Sequence, residues 1–323
     1  MKSDNNRFHP PRYLRHPMLQ TVLNSSSLRT LGGNAMVKAQ EEVILPLSGG
    51  VRLQGYLSRH GDGSARGLVI LMHGWEGSAR SAYILHTGRY LYGQGFDVFR
   101  LNFRDHGETH HLNEGFFMGT LLDEVHEAAA RVAERAKAPV FLAGFSMGAN
   151  FTLRLASLCT EKPIPALKRA VAVNPPLDPM ESTRRIDGMG LIKAYFIKKW
   201  KRSLKCKQEL FPGKYKLDDI LRMDTCLEMT ETLIRRYSDY PNAAAYFRGY
   251  AVTGDTVKRI TLPVTVITSE DDPVVPAEDF SLFLSHSQTE LLMQSYGGHC
   301  GYIESLALSS WYEPKMAEIF SRP

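Results

Sequence analysis

Val140-Phe141-Leu142-Ala143-Gly144-Phe145-Ser146-Met147-Gly148-Ala149-Asn150-Phe151 is the stretch that decides how the rest of the chain is read. Its first half, Val140–Phe145, is a continuous apolar run, as expected of a strand buried on both faces. Its second half opens a helix, Met147–Leu158, with Phe151, Leu153 and Leu155 among its apolar positions. Between them stands Gly144-Phe145-Ser146-Met147-Gly148, a G-x-S-x-G pattern. Alone that pattern is weak, but between a strand and a helix it places a serine on a sharp turn at the strand's C-terminal end. Small residues at 144 and 148 then let strand and helix approach closely.

Working outward, short β-rich runs alternate with helical patterns, which predicts a mostly parallel sheet covered by helices. Upstream lie a hairpin, Glu42–Pro46 with Val51–Ser58, strand Gly67–His73, helix Ala82–Leu91, strand Asp97–Asn102 and helix Thr120–Ala136. Downstream come strand Arg169–Val173 and, after a long gap, strand Pro263–Thr268, helix Glu278–Leu284, strand Glu290–Gln294 and a helix near Ser309–Phe320. The gap is rich in helix formers, aromatics and basic residues. The expected plan is an N-terminal arm over residues 1–41, an α/β core over 42–175 and 256–323, and a helical cap over 176–255.

Composition bounds the function. The chain has 323 residues, 43% hydrophobic and 23% charged, a soluble globular balance able to bury a core without disulfides or metals. No apolar run approaches the roughly 20 residues a membrane span needs, and the polar, Pro-rich N-terminus lacks a signal-peptide core. The four cysteines form no CxxC pair. A cytoplasmic protein with free thiols is expected. The net charge is +5, yet Arg184–Lys216 alone carries 11 Lys/Arg against Asp187 and Glu209, leaving the remainder of the chain acidic.

A serine hydroxyl needs a base to become a nucleophile. In the α/β-hydrolase fold the base follows the serine in chain order, and only His286 and His299 do so here. His299 lies in Tyr296-Gly297-Gly298-His299-Cys300-Gly301, a loop just beyond a predicted strand; His286 lies in a polar stretch. The carboxylate that orients the base is expected after strand Pro263–Thr268, in Glu270-Asp271-Asp272-Pro273. Asp272 is the choice and Asp271 the rival, because successive residues point to opposite faces. The backbone N–H groups of Trp75, in His73-Gly74-Trp75-Glu76-Gly77, and of Met147 are the expected oxyanion donors.

These motifs, together with the arm His9-Pro10-Pro11-Arg12-Tyr13-Leu14-Arg15-His16-Pro17-Met18-Leu19-Gln20-Thr21, resemble the YheT-like branch of the α/β-hydrolases. Those are serine hydrolases related to the animal ABHD proteins and the yeast ester synthase/esterases. The resemblance spans nearly the whole chain and implies an α/β-hydrolase fold with a helical cap. It assigns nucleophile, acid and base motifs to Gly144–Gly148, Asp271-Asp272-Pro273 and Gly297-Gly298-His299. At Arg104-Asp105-His106-Gly107-Glu108 an Asp stands where relatives carry a Gly, so the shape of that turn does not carry over.

The expected activity is hydrolysis of small carboxylic esters, of short to medium acyl chain, with no cofactor and no metal. Three rival features remain. The loop Asp105–His111 is dense in metal-ligand residue types but lacks a known zinc spacing, and reads as a solvated loop lining the active-site edge. Cys300 adjoins His299, but neighbouring side chains diverge and nothing suggests thiolate activation. In the cap, Leu191, Ile192, Tyr195, Phe196 and Trp200 form a helical stripe beside Lys198, Lys199, Lys201, Arg202 and Lys205. A lid helix is the plainer reading of that stripe, and peripheral contact with an anionic membrane, as in a lipid or phospholipid hydrolase acting there, is the alternative. No nucleic-acid-binding module surrounds the basic segment. The remaining alternative is a non-catalytic binding protein on the same scaffold.

Overall fold

A computed structural model describes residues 7–61 and 63–322. Eight strands form one sheet: β1 Gln40–Pro46, β2 Arg52–Ser58, β3 Leu68–Met72, β4 Asp97–Asn102, β5 Val140–Phe145, β6 Leu167–Val173, β7 Val264–Ser269 and β8 Thr289–Gln294. Their order is β1-β2-β4-β3-β5-β6-β7-β8. β1 pairs antiparallel with β2, and β2 with β4; every later pairing is parallel. This is the α/β-hydrolase fold.

The central strands read as unbroken apolar runs because both their faces are covered. Along β3, Leu68, Ile70 and Met72 join one core layer, while Val69 and Leu71 join the other. The first layer is completed by α4 (Leu122–Ala133) and α5 (Met147–Leu158). The second holds α3 (Ala82–Gly93) and α11 (Tyr312–Phe320). Two helices of the N-terminal arm, α1 (Pro17–Asn24) and α2 (Ala35–Lys38), precede the sheet. Met36 of α2 is fully buried in the second layer, and Phe8 joins it there. Residues 1–6 of the expected arm lie outside the described residues.

Between β6 and β7 run five helices: α6 Pro179–Gly188, α7 Gly190–Leu210, α8 Cys226–Tyr237, α9 Ala243–Arg248 and α10 Gly254–Lys258. Their buried side chains, including Ile192, Leu204, Met229 and Phe247, are continuous with the first core layer. No helix among the described residues is long and apolar enough to cross a membrane.

Two local expectations change. The segment expected as helix Glu278–Leu284 is a 3-10 helix, Ala277–Phe283, begun directly after Pro276. The stripe on α7 also turns further than its apolar residues suggest. Ile192, Leu204 and Lys207 are buried, while Leu191 is 85% and Tyr195 48% exposed. Leu191 and Tyr195 therefore face water, and a lysine completes the inward face.

Candidate active site

Ser146 ends β5 and begins α5 with φ +53° and ψ −118°. For a residue with a Cβ that is a strained conformation, one that persists only when its surroundings fix it. The Ser146 N–H donates to the Val173 carbonyl at 2.9 Å. The flanking glycines leave no room for anything larger. A Cβ on Gly144 would lie 2.1 Å from the Gly148 carbonyl oxygen, and one on Gly148 would lie 2.3 Å from that of Met72. The serine is thereby held just beyond the end of β3.

His299 approaches from the loop after β8. Its Nε2 lies 2.8 Å from Ser146 Oγ. Its Nδ1 lies 2.9 Å from Asp272 Oδ2 and 3.2 Å from Oδ1. With the Nδ1 proton directed at the carboxylate, Nε2 is left to accept the serine proton. The Asp272 side chain is wholly buried, and four donors surround it: the His299 ring, the Asn174 amide at 2.6 Å, and the Val274 and Val275 N–H groups at 2.7 and 3.1 Å. Asp271, the rival, turns the other way. Its Oδ1 accepts the Gly298 N–H at 2.8 Å, so it serves the loop backbone rather than the ring. Asn174 is a residue that sequence reasoning missed. Tyr302 donates to its Oδ1 at 2.9 Å, which directs the amide N–H₂ at Asp272.

The Trp75 and Met147 N–H groups have no hydrogen-bond acceptor among the described residues. Gly74, just before Trp75, is close enough that a Cβ there would lie 3.2 Å from Ser146 Cβ. Two unpaired donors thus stand on the chain segments that meet at the serine. Cys300, next in sequence to the histidine, is buried, and burial pushes its thiol well up, the opposite of thiolate activation.

Residues 63–299 match the family Hydrolase_4, described as serine aminopeptidase, S33. The chain belongs to this family of α/β-hydrolases. As a Hydrolase_4 protein it is 22% identical over 326 residues to an abhydrolase domain-containing protein of Dictyostelium discoideum, covering 97% of this chain and 80% of that one. It is 21% identical over 255 residues to human phospholipase ABHD3, covering 76% of this chain and 61% of that protein. Among solved structures it is similar to the esterase Pf2001 of Pyrococcus furiosus, with a TM-score of 0.58 at 17% identity, covering 97% and 99% of the two chains.

Trp75 and Met147 of this Hydrolase_4 chain line a cavity of about 100 Å³, whose wall does not include Ser146 itself. Trp75, Met147, Phe117, Trp200, Leu233 and Tyr250 supply much of its wall. The Trp75 indole stacks on Phe196 at 5.1 Å and meets Trp200 edge-on at 5.1 Å, so α7 closes over the segment that carries one of the donors. Lys199 of α7 adds a hydrogen bond to the Glu76 carbonyl at 2.8 Å.

The loop Asp105–His111 is not solvated as expected; Asp105, His106, Thr109 and His110 are buried. Asp105 takes φ +60°, the conformation a glycine would adopt without strain, and Asp is among the few other residues that tolerate it. Its Oδ1 pairs with Lys207 Nζ at 2.7 Å, and its Oδ2 accepts the Phe117 N–H at 2.9 Å. The histidines are committed to structure. His106 Nδ1 faces the Arg104 carbonyl at 2.7 Å, and its Nε2 accepts the Glu76 N–H at 3.1 Å. Burial pushes its pKa down to about 4, as it does for His110. His73 repeats the pattern, with Nδ1 on the Gly74 carbonyl and Nε2 accepting the Phe103 N–H. These rings are neutral props for the loops around the serine. Among the described residues no group of three or more His, Cys, Asp or Glu is arranged to hold a metal ion.

Proposed function

We propose that this chain is a serine hydrolase of the YheT-like branch that cleaves carboxylic esters of short to medium acyl chain through an acyl-enzyme. His299 takes the Ser146 proton as Oγ attacks the ester carbonyl. Asp272 holds the ring's tautomer and stabilises the imidazolium. The Trp75 and Met147 N–H groups receive the oxyanion, and His299 returns the proton to the leaving alkoxide. Water, activated by the same ring, then releases the acid. The observation that carries this reading is the hydrogen-bond chain from Asp272 through His299 to Ser146, set beside two unpaired backbone donors.

Two features favour a small ester. An apolar cavity of roughly 150 Å³ holds a benzene, so a space of about 100 Å³ lined by aromatic and aliphatic side chains together with polar ones suits an acyl tail of a few carbons. An aminopeptidase would need an ionised carboxylate to bind a free α-amine. Of the two acidic residues lining the cavity, Asp105 is paired with Lys207, and burial pushes Glu76 up to about 8, largely neutral at pH 7.

The test is labelling by a fluorophosphonate, with turnover of p-nitrophenyl acetate through octanoate. Wild type should label and hydrolyse the shorter esters; Ser146→Ala should do neither while keeping its circular dichroism and melting temperature. A wild-type protein that neither labels nor turns over any of these esters overturns the reading. A second reading, a lipid substrate met at an anionic surface, draws on the exposed Leu191 and Tyr195 beside the lysines of α7. Salt-sensitive binding to phosphatidylserine vesicles would support it, and no binding at low salt would remove it.

A further inference from the structure

The loop that carries His299 is held only in part by its own backbone, where the Gly301 and Tyr302 N–H groups donate to the Gly297 carbonyl at 3.0 and 3.3 Å. Gly297, Gly298, Cys300 and Tyr302 all have positive φ, at +150°, +53°, +64° and +52°. Two of these are non-glycine residues in a region that costs each about 1–3 kcal/mol and survives only where neighbours fix it. Asp271, Ser269 and Asn174 bond Gly298, and further neighbours come from the far end of the chain.

Helix α1 lies directly against this loop. A Cβ on Gly298 would sit 2.3 Å from the Pro17 carbonyl oxygen, and one on Gly301 would sit 2.6 Å from that of Gln20. Thr21 Oγ1 accepts the His299 N–H at 2.9 Å. Its own proton goes to the Pro17 carbonyl at 2.8 Å, which leaves a lone pair for the histidine. Gln20 is fully buried and uses its whole amide: Nε2 donates to the Leu14 and Ile303 carbonyls at 2.8 and 3.2 Å, and Oε1 accepts the Ile303 N–H at 2.6 Å. At the loop's start the Arg15 guanidinium lies over the Tyr296 ring, 5.0 Å from its centroid. The arm motif Leu19-Gln20-Thr21, which the reaction itself does not use, thus meets the base's loop at both of its polar side chains.

We propose that the N-terminal arm is a positioning element for the base, with Thr21 and Gln20 as the residues that fix where the His299 imidazole sits. The inference rests on the serine-hydrolase reading. Thr21 holds the backbone of the histidine itself, and Gln20 closes the loop four residues later. Neither touches the reacting atoms. Their effect is on the Nε2–Oγ distance and hence on kcat, because a misplacement of about 1 Å can cost on the order of 100-fold in rate.

The test compares Thr21→Val, nearly the same shape without the hydroxyl, with Thr21→Ser, which restores it. Kinetics are measured on a p-nitrophenyl ester that wild type hydrolyses, well below each protein's melting temperature. Thr21→Val should lose about 10–100-fold in kcat with KM within twofold, and slow fluorophosphonate labelling in proportion. Thr21→Ser should return to within about threefold of wild type. The apparent pKa of the kcat/KM profile should move in Thr21→Val and return in Thr21→Ser, a change that loss of stability alone does not produce. Ser58→Ala is the control. It removes the 2.7 Å hydrogen bond to the Met36 carbonyl at the arm's other end, and should lower the melting temperature with kcat unchanged. If Thr21→Val melts lower but keeps wild-type kcat and pH profile, the inference is wrong. If Thr21→Val does not fold, Thr21→Ala and Gln20→Glu carry the same comparison, and wild-type kcat in both overturns it. An inactive wild type would instead overturn the hydrolase reading.

Discussion

Replacing Lys207 with methionine isolates the buried pair that fastens α7 to the loop after β4. The two side chains are 1% and 6% exposed and meet at 2.7 Å. At an effective dielectric of about 20 their attraction is roughly 6 kcal/mol, much of it offset by the several kcal/mol needed to dehydrate each ion. The pair's net worth is therefore small, but breaking it is not. Lys207→Met leaves Asp105 with the Phe117 N–H as its remaining donor, and strips the Asn113 and His110 carbonyls of the ammonium at 2.6 and 3.4 Å. The expected loss is about 3–5 kcal/mol. For a chain of this size that lowers the melting temperature by roughly 4–7 °C. Asp105→Asn together with Lys207→Met should cost less than the two single losses added, by about 1–3 kcal/mol, since no ion is then left unpaired. Burial already raises the Asp105 pKa, and removing Lys207 raises it further. A carboxyl whose folded pKa lies above its unfolded value contributes most below the unfolded pKa and loses that contribution as pH rises. The deficit of Lys207→Met should therefore shrink as pH is lowered towards 4. Urea unfolding of wild type, both single variants and the double variant at pH 5 and pH 8 measures all of this. A single-variant loss below about 1 kcal/mol, or strict additivity in the double variant, would refute the reasoning.

Two further outcomes follow from the same geometry. His106 is buried neutral with its pKa down at about 4, against about 6.5 in the unfolded chain. Between those values the unfolded state binds the extra proton, so stability falls as pH drops from about 6.5 to about 4, by up to roughly 3 kcal/mol from this ring alone. His106→Gln should flatten that part of the stability-against-pH curve in thermal melts, and an unchanged slope would show that the ring is not held neutral. Gly148→Ala, which sets a Cβ 2.3 Å from the Met72 carbonyl oxygen, should leave little soluble folded protein. A variant melting within a few degrees of wild type would mean that β3 and α5 can part more easily than their packing indicates.

The fold was legible because burial on both faces writes itself into sequence as unbroken apolar runs. Asp97–Asn102, Val140–Phe145 and Met147–Leu158 have the boundaries that their patterns predict. Ser146, Asp272 and His299 were legible as residue types at fixed places around a parallel sheet, and His299 stands within hydrogen-bond distance of each of the other two. The supports around them were not. Asn174 follows a strand as many asparagines do, and nothing local tells that its amide reaches Asp272. The loop after β4 was read as solvated because its residues are polar, whereas long-range partners bury them. Lys207 does leave a trace in the sequence. It continues the series Ile192, Phe196, Trp200 and Leu204 at helical spacing, so a lysine there had to be paired. In a segment with 11 basic residues, one cation on the wrong face is easily taken for solvent-facing charge.

The three side chains at the candidate site are held by different parts of the chain, and this governs where substitutions should be felt. Ser146 is fixed by the sheet itself, through the Val173 carbonyl and two glycines that admit no Cβ. The Trp75 segment depends on α7, which stacks Phe196 and Trp200 on the indole and places Lys199 on the Glu76 carbonyl. The His299 loop rests on α1 through Thr21 and Gln20. Asp105 connects these supports to the core, because its left-handed backbone turns its carboxylate to Lys207 on α7. An aspartate at that turn would leave a charge stranded in the interior unless the inserted helix supplied its partner. The basic character of that helix is accordingly part of the architecture of the site, with Lys207 and Lys199 both spent on the loops beneath it.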